Sequence, residues 1–390
     1  MAGWGVQLFI QTQAPGPGRC GDVAPRGLEA LAVYRGSPDS LRPLASEAAV
    51  FTVVIGSTRT STVPGVSIAG ATPEATLLTP TLDVEYLLAG RPLSLDVIPV
   101  TPEGIPTPAL VTRASLGLAG DVPALVVDAG AHAAPRVPHV ALPSRRVGER
   151  IDTGHALPEG TAERLYGEAR LLGQQLGRGH VVVIGESIPG GTTVAMAIME
   201  GLGYRARGLV SSAGPENPHD LKWSLASRGL EASGLIGKWG EPFRVVDAVG
   251  DPVHVSVAGL AAGALEAGSP LVVLAGGTQM AAAAAILDRL GVHPGGRLAL
   301  VTTRWLVEDP TSDILALIDQ LGIEVTLAAA PLDFSGARYE GLRYYERGYV
   351  KEGVGAGAAA ALAMARRGLG PEDVLRAVEA EYERVKGARL

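Results

Sequence analysis

The stretch Val181-Val-Val-Ile-Gly-Glu-Ser-Ile-Pro-Gly-Gly-Thr-Thr193 decides the fold. Its four opening β-branched residues suit a strand buried on both faces, as in a parallel sheet. The pair Gly190-Gly191 then breaks the strand, and Thr192 and Thr193 stand where hydroxyls would cap a following helix. A second junction, Leu271-Val-Val-Leu-Ala-Gly-Gly-Thr-Gln279, repeats the order of strand, glycine pair and hydroxyl. In an open parallel sheet, ligands bind beyond the carboxyl ends of the strands, where loops lead into helices. Both junctions therefore offer backbone N–H groups and a helix N-terminus to an anion.

Outward from these junctions the same alternation continues. Apolar runs predict strands at Val50–Ile55, Ala124–Val127, Val181–Ile184, Leu271–Leu274, Leu298–Thr302 and Glu324–Ala328. Helices are predicted at Glu159–Leu176, Thr192–Leu202, His219–Ser227, Val255–Glu266, Gln279–Leu290, Thr311–Gln320, Gly357–Arg367 and Pro371–Lys386. Ala14–Ala24 and Thr101–Pro108 read as loops. Strands alternating with helices make an α/β fold with a mostly parallel sheet.

A third glycine-rich stretch lies near the end, Val350-Lys-Glu-Gly-Val-Gly-Ala-Gly-Ala-Ala-Ala-Ala-Leu-Ala-Met364. It sets one carboxylate, Glu352, at the mouth of a turn that opens into an apolar helix. Gly353, Gly355 and Gly357 would let a ligand lie against the backbone, with the helix N-terminus favouring an anionic group. An acid held over such a cradle suits proton abstraction beside a bound phosphate.

Composition narrows the class. The 390 residues are 47% hydrophobic, 19% charged and only 4% aromatic, so the core is aliphatic and alanine-rich. A net charge of −7 with no basic run argues against nucleic acid as a partner. Cys20 is the only cysteine, which excludes a disulfide framework and a cysteine zinc site. The opening Met1–Ile10 lacks the features of a signal peptide, and Leu271–Leu287 is broken by Gly276-Gly277 before it could span a membrane. The expectation is a soluble cytoplasmic protein. Only four lysines occur (222, 238, 351 and 386), which draws attention to Lys222 and Lys351 in polar or glycine-rich loops.

Several familiar chemistries are absent. Gly185 to Gly190 has P-loop spacing, but the lysine that should follow is missing. Gly353-Val-Gly-Ala-Gly357 is no dinucleotide fingerprint. No histidine pair has metal-ligand spacing, so no metal is expected. Ser187 lies outside any Gly-x-Ser-x-Gly elbow and has no placed base.

Four patches in order carry a resemblance: Gly185–Thr193, Ser211–Lys222, Leu274-Ala-Gly-Gly-Thr-Gln-Met280 and Lys351–Gly357. Together they resemble the nicotinate-nucleotide–dimethylbenzimidazole phosphoribosyltransferase family of cobamide biosynthesis. The branch they match is the one common in archaea and some thermophilic bacteria. Ile55-Gly-Ser-Thr58, Pro64–Glu74 and Leu332–Leu342 are similar to that branch too.

The resemblance implies a Rossmann-like, mostly parallel sheet flanked by helices, with a smaller helical domain formed from the chain ends. On that expectation residues 1–390 form one unit, with a large α/β core over about 50–340 and a smaller domain from about 1–49 and 341–390. It also implies a homodimer without a cofactor. The implied reaction transfers the phosphoribosyl group of nicotinate mononucleotide to a nitrogenous base, releasing nicotinate. The alternative is a non-catalytic protein that binds a nucleotide or cobamide precursor on the same fold.

By position, Glu352 matches the family's general base, and Glu186 and Lys222 match two further active-site residues. The loops expected around the phosphoribose contain Gly185, Ser187, Gly190, Gly191, Thr192, Thr193, Gly276, Gly277, Thr278, Gly353 and Gly355. The segment before about residue 120 departs from the bacterial pattern. Gly70, Thr72 and Glu74 stand there and are expected to contribute to the base pocket.

Overall fold

The computed structural model describes residues 27–387 apart from 71, 98, 99 and 102. Met1–Ile10, the predicted loop Ala14–Ala24 and Cys20 lie outside the described residues.

Among the described residues eight strands form one sheet: β1 (Ala32–Arg35), β2 (Ala49–Gly56), β3 (Ala124–Gly130), β4 (Val140–Ala141), β5 (Val181–Ser187), β6 (Val272–Ala275), β7 (Leu298–Thr303) and β8 (Thr326–Ala330). Their order across the sheet is β1-β8-β7-β6-β5-β2-β3-β4. All neighbours are parallel except β1, which runs antiparallel to β8 at one edge. The six predicted strands are all present. β1 and β4 are additions, and both are short pieces at the sheet edges.

Side-chain alternation along each central strand feeds two cores. Val182 and Ile184 of β5 enter one layer, while Val181 and Val183 enter the other. The first layer packs helices Thr161–Leu176, Gly191–Gly201, Pro252–Glu266 and Thr278–Arg289. The second packs helices Pro73–Ala89, Pro108–Ala119, Ala356–Arg367 and Pro371–Gly387. Pro73–Ala89 and Pro108–Ala119 stand in sequence where no helix was expected. Each opens with a threonine cap and a proline in the first turn: Thr72 accepts from Ala75 N–H (3.2 Å) and Thr107 from Ala109 N–H (3.3 Å). The predicted helix Thr311–Gln320 shrinks to Ile314–Ile318, capped by Asp313. No helix among the described residues is long and apolar enough to cross a membrane.

The strand order places the site. From β2 the chain moves through β3 and β4 to one side, then returns to β5 on the other side of β2 and proceeds outward through β6, β7 and β8. The direction of winding reverses between β2 and β5, and in open α/β sheets such a reversal marks the ligand crevice beyond the carboxyl ends of the strands. Glu186 and Ser187 end β5 at that crevice, facing opposite sides of the sheet.

Candidate active site

Glu186 is 5% exposed. Its Oε1 accepts from Gln279 Nε2 (3.0 Å) and its Oε2 from Ile188 N–H (3.1 Å). Burial first, and then the charges of Glu352, Asp251 and Asp83, push its pKa up to about 8. Near neutrality this carboxyl therefore holds its proton.

Glu352 is only partly buried, and its turn is bound tightly to its surroundings. Gly353 N–H (3.2 Å) and Gly357 N–H (3.2 Å) donate to its Oε1, and Thr302 Oγ1 donates to its Oε2 (3.2 Å). Burial lifts its pKa to about 7 against the pull of these donors. Two β-branched residues flank it in left-handed backbone, Val350 (φ 49°) and Val354 (φ 53°). Such conformations cost about 1–3 kcal/mol each and persist where the surroundings over-determine them. The surroundings here are visible. Val350 N–H donates to Ala213 O (2.8 Å), Val354 N–H to Glu186 O (2.9 Å) and Thr112 Oγ1 to Val354 O (3.0 Å).

The glycines near Glu352 serve the packing of the chain on itself. A methyl group on Gly357 would fall 2.1 Å from the Thr302 carbonyl carbon, and one on Gly355 would meet Phe51 at 2.9 Å. Gly355 also has φ 70°, and Gly185 lies directly beneath it. Gly357 and Gly355 thus let strands β7 and β5 approach the helix closely. The Gly-Gly-Thr junctions depart from the expected hydroxyl caps. Gly190 and Gly277 occupy the helix N-cap positions, and no side chain caps either helix. Thr278 Oγ1 accepts from Ser211 N–H (3.1 Å), while Thr193 Oγ1 is buried with no partner among the described residues. Gly191 leaves room for the Gln279 carboxamide, and Gly276 and Gly277 for Met280 and Leu306.

Lys222 has no exposed surface. Its ammonium donates to Ser211 O, and burial followed by the nearby Lys351 charge lowers its pKa to about 7. Lys351 is also buried, donating to Gly214 O (2.9 Å) and pairing with Asp309 Oδ2 (3.1 Å). Burial would raise the Asp309 pKa, yet the Thr311 donors and Lys351 hold it below the ordinary range. Two lysines around one carboxylate make this the cationic side of the crevice. They act through the backbone of Ser211–Gly214 rather than as free side chains. Asn217 donates to Val210 O (2.8 Å) and Thr311 O (3.1 Å) and staples this loop down.

Asp83, in the middle of helix Pro73–Ala89, completes the acidic side. Ser187 Oγ (2.7 Å) and Thr107 Oγ1 (2.6 Å) donate to it, and burial raises its pKa to about 6. Sequence reading missed this residue, although the Thr72-Pro73-Glu74 start signal could have revealed its helix. Of the expected base-pocket residues, Thr72 is exposed and spends its hydroxyl on the helix cap, Glu74 is exposed, and Gly70 (φ 75°) packs against Ala75 and Thr76. Glu186, Ser187, Glu352 and the loop held by Lys222 meet at the crevice. Thr72 and Glu74 stand at the exposed start of the helix that delivers Asp83.

No protein-family model matches the chain. Two solved structures share its fold. A nicotinate-nucleotide-dimethylbenzimidazole phosphoribosyltransferase from Thermus thermophilus superposes with a TM-score of 0.55 at 18% identity, covering 89% of this chain and 88% of that one. CobT from the same organism gives a TM-score of 0.56 at 18% identity, covering 92% and 94%. Sequence relatives lie among archaea. A UPF0284 protein of Aeropyrum pernix is 54% identical over 339 residues, 87% of this chain and 93% of that protein. A UPF0284 protein of Pyrobaculum calidifontis is 54% identical over 337 residues, 86% and 96% of the two chains. One from Pyrococcus furiosus is 47% identical over 340 residues, 86% and 98%. With identity of this degree over nearly the full length of its relatives, the chain belongs to the UPF0284 family.

Proposed function

We propose that the protein is a phosphoribosyltransferase that moves the phosphoribosyl group of nicotinate mononucleotide to a benzimidazole-type or related base. The products are nicotinate and an α-linked nucleotide phosphate for the lower ligand of a cobamide. The observation that carries this reading is Glu352. A carboxyl group with its pKa raised to about 7 is held on a strained turn at the winding reversal of the sheet. The fold shared with the two Thermus structures supports it.

The chemistry suits these residues. In the mononucleotide, nicotinate is attached through a cationic ring nitrogen. When the bond to the anomeric carbon breaks, the electron pair returns to that nitrogen and leaves a neutral ring. One nitrogen of the incoming azole forms the new bond from the opposite face, which inverts β to α. The other nitrogen loses its proton to Glu352, for which a base near neutral pKa is well matched. Glu186, protonated at neutrality, is a hydrogen-bond donor beside it. The cationic side around Lys222 and Lys351 favours the phosphate. Holding both rings over one ribose supplies several kcal/mol of the acceleration, on the order expected for oriented reactants.

The test is incubation with nicotinate mononucleotide and a panel of benzimidazoles, purines and phenols. Released nicotinate together with a new nucleotide in the mass spectrum is the expected result. Neither product with any base would reject the reading.

A further inference from the structure

Asp83 is a buried carboxylate that pairs with no lysine, arginine or histidine among the described residues. A buried acid without a cation is costly unless it is hydrogen-bonded, and such groups concentrate at functional sites. Among the described residues its carboxylate partners are the hydroxyls of Ser187 and Thr107. Each of these stands one residue from a contact with the turn that holds Glu352. Thr107 precedes Pro108, whose Cγ would lie 2.7 Å from a methyl group on Gly353. Ser187 follows Glu186, whose carbonyl accepts from Val354 N–H (2.9 Å). Asp83 and Glu352 also both act electrostatically on buried Tyr345, whose hydroxyl donates to Pro106 O (3.1 Å). Asp83, Ser187 and Thr107 therefore form a small polar wall packed against the turn that carries Glu352.

We propose that this wall selects the acceptor. Asp83 takes heteroaromatic bases that carry an O–H or N–H donor on the ring edge remote from the attacking nitrogen. The inference rests on the phosphoribosyl-transfer reading above. Its physical basis is the asymmetry of polar recognition. An O–H or amino group donates to the Asp83–Ser187–Thr107 wall, whereas methyl groups would strip water from a carboxylate and offer nothing in return. A site built to accept such a donor discriminates strongly against analogues that lack it. Glu352 is left free for the proton on the reacting azole, so the two acids divide the base between them.

The test is a competition for nicotinate mononucleotide between hydroxybenzimidazole and dimethylbenzimidazole, read as the product ratio by mass spectrometry. The wild-type protein is expected to favour the hydroxylated base by about tenfold or more. Asp83→Leu is expected to bring the ratio to one or below, and Asp83→Asn, which keeps an acceptor for both hydroxyls, to an intermediate value. Calorimetric titration of the mononucleotide checks that both variants keep a folded site. An unchanged product ratio overturns the proposal. If the wild-type protein makes no nucleotide from any base, transfer itself fails, and titration of the two bases into the protein decides the role of Asp83. A roughly tenfold loss of hydroxybenzimidazole affinity in Asp83→Leu then supports it, and equal affinity overturns it.

Discussion

Val354 N–H donates to the backbone carbonyl of Glu186 at 2.9 Å, so the turn that carries Glu352 is stitched to the strand end that carries Glu186. Two acids far apart in sequence are thereby fixed on neighbouring backbones. The charge of Glu352 disfavours ionisation of Glu186, and burial lifts both above the ordinary carboxylate range.

Replacing Glu352 by Gln keeps the shape of the side chain and removes the base. Nucleotide formation should fall by about 10²–10⁴-fold, the usual worth of a positioned general base. Mononucleotide affinity, measured by calorimetry, should stay within a few-fold. Near-normal turnover would sink the assignment.

The two titrating groups act in opposite directions with pH. Glu352 becomes the competent base as pH rises through about 7, so kcat should climb across that range. Lys222 loses its charge as pH rises through about 7, so mononucleotide affinity should decline above it. Together kcat/KM should pass through a maximum near neutrality, and Lys222→Met should flatten the affinity limb. A profile flat from about pH 5 to about pH 9 would contradict both roles.

Glu186 carries a signature in stability. Its pKa is raised to about 8 in the folded protein from the ordinary 4.5, so the folded state holds more protons between these values. Stability therefore falls as pH rises from about 4.5 to about 8. In Glu186→Gln the melting temperature should decline less over this interval, and an identical slope would show that burial of this group is not felt.

Lys351 and Asp309 form a buried pair whose members depend on each other. Lys351→Met leaves Asp309 buried without its ion-pair partner, and should cost about 3–5 kcal/mol. The double variant Lys351→Met/Asp309→Asn should recover part of that loss in denaturant unfolding. Its kcat should still fall, because the lysine anchors the residue before Glu352 to Gly214.

Gly357→Ala tests whether the glycines hold the ligand or the fold. The added methyl collides with the Thr302 backbone, and the overpacking should cost about 1–3 kcal/mol. Differential scanning calorimetry should show a lower melting temperature in the free protein. An unaltered melting temperature with weakened mononucleotide binding would return these glycines to the ligand.

The parallel strands were legible because a strand buried on both faces has no polar alternation to disguise it. Val181–Ile184 and Leu271–Leu274 are examples. Ala32–Arg35 was not, since only its first half is shielded and its last two residues are exposed. Helix Pro73–Ala89 escaped for a different reason. It is apolar and threonine-rich around much of its circumference, holds Pro80 inside, and buries Asp83 and Glu85, so no polar stripe marks its outer face. Glu186, Lys222 and Glu352 stand out in sequence through motif order; in the structure Glu186 and Glu352 lie on adjoining backbones, and Lys222 holds the loop whose Ala213 carbonyl accepts from Val350. Asp83 has no local motif, because its partners Thr107 and Ser187 come from other parts of the chain.

The bond from Val354 to Glu186 also imposes a timetable. Strand β5 can pair with β2 early in the life of the chain, but its end has no Glu352 beside it until the segment beyond Val350 has been made and has folded back. Every strand of the sheet precedes Val354 in the chain, so a polypeptide that stops short of Val354 has the strands but cannot tie Glu352 to the end of β5.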